Sequence, residues 1–173
     1  MLRLAFNFFV KVLDSCLYGF VGPFSMLVII PQYLIYISDR YDLPFYGFPY
    51  SEIISVVLMW IGASVAIYSG ALMFLFGKGS PAVTSSPQKI MQKNIYAYFR
   101  HPMMWALTLV LAGEVMYHGM LIMLLWFVAW LRIQQLYVVN YEEPQLEKRF
   151  GDSYRDYCQQ VPRWFPRLSK KIK

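Results

Sequence analysis

Two short polar strings hold the side chains best suited to chemistry. The first runs Tyr96, Ala97, Tyr98, Phe99, Arg100, His101, Pro102; the second is Tyr141, Glu142, Glu143, Pro144, followed by Leu146 and Phe150-Gly151. Arg100 and His101 offer cationic donors, and His101 can also exchange a proton near neutral pH. The glutamate pair offers acceptors for ribose hydroxyls, an amine or a cationic centre. Pro102 suits the first turn of a helix, where its missing N–H costs nothing, which sets His101 at or near the N-cap. Helix N-termini present free N–H groups and partial positive charge, so a carboxylate or phosphate can dock there. Gly77-Lys78-Gly79 is a weaker third signal, because two glycines can simply turn the chain.

These strings lie at the ends of apolar stretches. The 173 residues are 58% hydrophobic, 18% aromatic and 15% charged, with a mean hydropathy of +0.40. Soluble domains carry about 25% charged residues. The chain therefore reads as one all-α domain, residues 1–173, forming a polytopic integral membrane helical bundle. Its expected parts are an interfacial lead-in over 1–16, membrane spans over 17–139 and a cytosolic tail over 140–173. The lead-in contains Arg3, Lys11 and Asp14 and lacks a clear cleavage site, so it reads as an amphipathic interfacial helix. Two cysteines, Cys16 in an apolar stretch and Cys158 in a charged one, indicate no disulfide framework. No residue cluster has metal-ligand spacing.

A spanning helix needs about 20 mostly apolar residues. About four such spans are expected: from Leu17 to Ile37, from Ile53 to Phe76, from Pro102 to Tyr117 and from Gly119 to Val139. Gly62, Ala63, Ser64, Ala66, Ser69, Gly70 and Ala71 in the second suit close helix packing. His118-Gly119 leaves room only for a tight hairpin. Arg40 is the one basic residue between the first two spans, four basic residues lie within 77–101, none lies in the hairpin and eight follow Val139. The positive-inside rule then makes the N-terminus, the middle loop and the tail cytoplasmic. Orientation and attraction to anionic membrane lipids account for the net charge of +6, so nucleic acid is not an expected partner. The same topology brings Gly77-Lys78-Gly79, Arg100-His101-Pro102 and Glu142-Glu143 to one surface, and acidic residues on a basic face are not explained by topology.

Arg132 lies inside the fourth span, about 12 Å along the helix from Asn140. It serves either a substrate or cofactor group, with Gln134 and Gln135 nearby, or snorkels to the surface. Glu114 sits one turn before the outer hairpin, where an interfacial role is expected. In the tail, Phe150, Tyr154 and Tyr157 share one helical face. Gly151 should stop one short helix, Asp152 or Ser153 should cap the next, and Arg163, Trp164, Phe165 and Arg167 suit an interfacial belt.

These strings, with Gly77-Lys78-Gly79-Ser80-Pro81-Ala82, Tyr154, Tyr157 and Val161-Pro162-Arg163, resemble the membrane methyltransferases. That superfamily includes the isoprenylcysteine carboxyl methyltransferases and the phosphatidylethanolamine N-methyltransferases. The similarity runs from about Phe76 to Arg167. It implies S-adenosylmethionine as cofactor, with Gly77, Gly79, Tyr96, Arg100, His101, Pro102, Glu142, Glu143, Tyr154 and Tyr157 around it. His101 and Glu143, together with Arg132 from its place inside the fourth span, are the candidates for the chemistry, and the resemblance implies a lipophilic or lipid acceptor that enters from the bilayer. The chain departs from the family at Asn94-Ile95-Tyr96, where Gly-Pro-Tyr or Gly-Val-Tyr is usual, and at Met104-Trp105-Ala106, where Tyr-x-Gly is usual. Leu136 to Asn140 also lacks the arginine that prenylcysteine enzymes place before the glutamate pair, which argues against a prenylcysteine carboxylate; Tyr141-Glu142-Glu143-Pro144 is closer to the phospholipid N-methylating branch, and the acceptor atom stays open between oxygen and nitrogen. An NADPH-dependent reductase like the sterol reductases and a non-catalytic membrane scaffold are the alternatives.

Overall fold

Prolines set the breaks in this all-helical chain. The computed structural model describes residues 21–47, 51–76 and 90–166. The expected lead-in, the start of the first expected span, Gly77-Lys78-Gly79 and Arg167 lie outside the described residues. A short helix, Gly22–Phe24, runs through a π-turn, Ser25–Ile29, into α1, Ile30–Arg40. Pro31 has no N–H for the carbonyl four residues back, and its ring crowds that carbonyl; widening the preceding turn relieves both. The same device recurs later: α4, Leu121–Tyr137, passes through a π-turn, Val138–Glu142, into α5, Glu143–Phe150, whose second residue is Pro144.

Between them lie α2, Ser51–Phe76, and α3, Pro102–His118. These two pack along each other at two reciprocal close approaches. A Cβ on Gly62 of α2 would stand 2.7 Å from the Ala106 carbonyl oxygen, and one on Gly113 of α3 would stand 2.7 Å from the Ser55 carbonyl oxygen. The absence of two side chains lets the backbones meet, as small residues do in membrane bundles.

Gly119 ends α3 in the left-handed conformation, with φ 61°, and two residues later α4 begins, as the tight hairpin requires. An extended loop clips onto this hairpin: Tyr46 N–H donates to Gly119 O at 2.6 Å and Leu121 N–H to Pro44 O at 3.1 Å. Leu111, Val115, Met123 and Trp130 form the buried centre between α3 and α4, and Leu34 and Ile35 of α1 close it. Trp126 of α4 also donates its indole N–H to the Met26 carbonyl.

Among the described residues, two helical stretches are long and apolar enough to cross a membrane, Ser51–Met73 and Leu121–Phe150. Their outward faces remain apolar, with Trp60 71% and Ile67 73% exposed on α2 and Leu125 62% exposed on α4. Such a surface suits lipid rather than water. α3 has 17 residues, a length of about 25 Å. The last helix, α6, Asp152–Gln160, follows Gly151, whose backbone (φ 57°, ψ −132°) suits glycine alone. Gly151 therefore occupies the N-cap, and neither Asp152 nor Ser153 supplies the expected side-chain cap.

Replacing Gly62 or Gly113 by alanine should destabilise the protein by about 1–3 kcal/mol through forced separation of α2 and α3. Gly70 faces open space, so Gly70→Ala should be neutral or slightly stabilising. Thermal unfolding in detergent micelles measures the difference; equal behaviour of the three variants would contradict the packing.

Candidate functional site

Pro102 occupies the first turn of α3 and is fully buried, with His101 at the N-cap. The His101 ring is also buried, but it caps nothing. Its two nitrogens instead face the two glutamates: Nδ1 lies 3.3 Å from Glu142 Oε1 and Nε2 lies 3.3 Å from Glu143 Oε1. Consecutive residues where the π-turn meets α5 thus grip one imidazole from opposite sides. Only the doubly protonated ring can donate to both.

Glu143 is the centre of a larger cluster. Arg163 reaches it with both Nε, 2.9 Å from Oε1, and Nη2, 2.6 Å from Oε2. Arg100 Nη1 lies 2.9 Å from Oε1 and also donates to Cys158 Sγ at 2.8 Å. Burial pushes the Glu143 carboxyl upward, but His101, Arg163 and Arg100 outweigh it and hold the group at about 2. Burial lowers the His101 pKa, and Glu142 and Glu143 outweigh that, so the net shift is upward. Hydrogen bonding to Glu143, against a smaller opposing effect of burial, raises the Arg163 pKa.

The chain after α6 folds back over this cluster. Arg100 N–H donates to Pro162 O at 3.0 Å. Trp105 Nε1 donates to Trp164 O at 2.6 Å, and Trp164 Nε1 donates to Gln135 Oε1 at 2.7 Å. The Trp164 ring stands 6.0 Å from His101, tilted by 44°. Residues 161–166 are therefore tied to both α3 and α4.

The aromatic stripe is buried beneath. Tyr154, Tyr157 and Val161 pack with Ile90, Leu146 and Phe150. Tyr157 OH donates to Tyr96 O at 2.7 Å, and Tyr96 OH donates to Ser69 O of α2 at 3.4 Å. Burial, then the Glu142 charge, pushes the Tyr96 phenol up to about 12, and burial leads the upward shifts of Tyr154 and Tyr157. All three stay neutral and serve as packing and donor groups. Asn94 opens the 3₁₀ turn Asn94–Ala97 with φ 56°. Asparagine is one of the few non-glycine residues that tolerate this left-handed value.

Tyr96, Arg100, His101, Pro102, Glu142, Glu143, Tyr154 and Tyr157 thus gather in one region. Arg132 does not join them: it is exposed on α4 and makes no ion pair among the described residues. Gln134, near it in sequence, turns inward and donates to Thr108 Oγ1 at 2.8 Å. Glu114 lies far along α3, about 20 Å from His101. Sequence reasoning missed Arg163, assigned to an interfacial belt, and missed Trp105 and Gln135, which hold its neighbour Trp164. The carboxylate opposite Arg163, which needs a cation, is brought there only by the fold.

Buried polar atoms without partners among the described residues include three in this region: Glu142 Oε2, Arg100 Nε and Tyr154 OH. The first two, an acceptor and a donor, belong to members of the ion-pair cluster.

A model of the phospholipid methyltransferases matches residues 50–153, from the start of α2 into α6. That is well over half of the chain, and the protein belongs to this family of membrane methyltransferases. No curated protein is similar enough to match it. The matched segment holds both chemistry-bearing strings, whereas Arg163 and Trp164 lie beyond it.

The charge cluster sets a pH window. Glu143 is depressed in the folded state, so its contribution is full above its ordinary 4.5 and is lost as pH falls toward 2. His101 is raised, so its contribution is full below its ordinary 6.5 and is lost as pH rises through the folded value. Stability from this cluster should peak between about pH 4.5 and 6.5, and His101→Gln should flatten the decline on the alkaline side. Melting temperature measured from about pH 4 to 9 tests this; an unchanged alkaline limb in the variant would contradict it.

Proposed function

We propose that this protein transfers a methyl group from S-adenosylmethionine to an oxygen or nitrogen of a lipophilic acceptor at a membrane surface. The observation that carries the reading is the pair of unpartnered buried atoms, Glu142 Oε2 and Arg100 Nε, inside a family-matched polar cluster. Glu142 would take ribose hydroxyls or the ammonium group of the cofactor, and Arg100 Nε its carboxylate. The cofactor supplies an electrophilic methyl on a sulfonium that departs as a neutral thioether.

The protein's own work is alignment and exclusion of water. Trp105, Trp164 and the tyrosine cluster cover the polar groups and supply that exclusion. An amine acceptor must lose a proton, and Glu142 is the group available to take it, because the doubly protonated His101 ring has no free lone pair; a carboxylate acceptor needs no base. Of the groups expected to do chemistry, His101 lies in the cluster and holds Glu142 in place. Arg132 is remote from the cluster and suits the interfacial role.

We read the topology as four spans, with both termini and the cluster on the cytoplasmic side. The cofactor then arrives from the cytosol, and the acceptor arrives laterally from the bilayer. Basic residues flanking the spans, together with the apolar outward faces of α2 and α4, support this arrangement.

Purified protein incubated with methyl-labelled S-adenosylmethionine and a total membrane lipid extract should transfer label to a lipid fraction. His101→Ala and Arg100→Ala should reduce transfer by roughly 10-fold or more, the loss typical of a charged hydrogen-bonding group. Transfer unaffected by both substitutions would contradict this site; a wild-type protein that neither binds the cofactor nor transfers label would contradict the activity.

A further inference from the structure

The two adjacent glutamates look equivalent in sequence but differ in what remains free on them. A carboxylate has about four acceptor positions. At Glu143 both oxygens are engaged by cationic nitrogens: Oε1 by Arg163 Nε, Arg100 Nη1 and His101 Nε2, and Oε2 by Arg163 Nη2, all within 3.3 Å. At Glu142 only Oε1 is engaged, by His101 Nδ1, and Oε2 is buried without a partner among the described residues. A ligand hydroxyl or ammonium therefore finds a wholly unengaged oxygen at Glu142, whereas each oxygen of Glu143 already holds a cation.

Arg163 is what fills Glu143. It supplies two of the four nitrogens and comes from the chain beyond α6, next to Pro162 and Trp164, which are themselves bonded to Arg100 N–H and Trp105 Nε1. The bidentate pair joins this returning segment to the start of α5. We propose that the glutamate pair is split in role: Glu142 is the carboxylate that contacts the ligand, and Glu143 is a positioning residue whose pair with Arg163 latches the C-terminal segment over the site. The Glu142 half rests on the reading of the site as an S-adenosylmethionine site; the latch half does not.

Cys158 reports on the latch directly. It sits half-buried under Arg100, which is held by Glu143 and by the Pro162 carbonyl. The only other cysteine is Cys16, so Cys16→Ser leaves Cys158 as the single thiol. In that background, Arg163→Ala and Glu143→Gln should speed maleimide labelling of Cys158 roughly 10-fold or more, as expected for a charged pair broken at a partly buried site. Arg163→Lys, which keeps the charge but loses the fork, should fall between them and the parent. Glu142→Gln should label at the parent rate yet weaken S-adenosylhomocysteine binding roughly 10- to 100-fold. Saturating S-adenosylhomocysteine should slow labelling of the parent and of Arg163→Lys.

Parent-like labelling of Arg163→Ala would overturn the latch. Undiminished S-adenosylhomocysteine affinity in Glu142→Gln, or labelling of that variant as fast as in Glu143→Gln, would overturn the split. If the parent itself fails to bind S-adenosylhomocysteine, the functional reading and the role of Glu142 both fall, and labelling still decides the latch alone.

Discussion

A single carboxylate, Glu143, ties together three segments that are distant in the chain. Arg100 from the start of α3, its neighbour His101 and Arg163 from the end of the chain all converge on it. Burying such a group is unfavourable unless it is paired, and removing one partner from a buried pair typically costs about 3–5 kcal/mol. Of its partners His101 is buried, but Glu143, Arg100 and Arg163 are only partly so, and a fraction of that figure applies. The constraint is still strong because it is shared: no member of the cluster can leave without stranding another. Arg100 also holds Cys158 of α6, and its backbone holds Pro162, so loss of the carboxylate reaches the tail through two routes.

The helices make this convergence possible. Close approach at Gly62 and Gly113 fixes α3 against α2, and the clipped hairpin at Gly119 fixes α4 against α3. The π-turn before Pro144 then delivers Glu142 and Glu143 to opposite sides of one imidazole. π-turns recur at functional sites, and here the proline that forces one is the residue after the glutamate pair. Below the charges, Tyr96 links α2 to α6 by accepting from Tyr157 and donating to Ser69. A polar layer thus sits beside an aromatic one: the first joins the segment before α3, the start of α5 and the returning tail, and the second joins α2, α5 and α6.

Much of this was legible in the sequence, for identifiable reasons. Apolar runs and their small residues located α2, α3 and α4; Pro102 placed His101 at the N-cap; Gly119 and Gly151 marked the ends of α3 and α5. Local rules suffice for such features because they depend on neighbours in the chain. Helix boundaries shifted where continuity beat hydropathy: the expected fourth span ended at Val139, but the helical path runs on to Phe150 because a π-turn, rather than a break, absorbs Pro144. The aromatic face of Tyr154 and Tyr157 followed from periodicity. The partner of Glu143 did not, because nothing local distinguishes Arg163 from the other basic residues of a basic tail. Its identification needed the chain to fold back over 20 residues. The left-handed backbone at Asn94 is likewise a feature that only the structure reveals.

The most direct measurement of the central constraint is hydrogen–deuterium exchange of the protein in micelles, compared with Glu143→Gln. If one carboxylate holds both regions, exchange should rise together in residues 94–101 and 152–161, while α2 and the outer half of α3 keep their protection. Faster exchange in the tail alone, or none in either region, would contradict a shared anchor at Glu143.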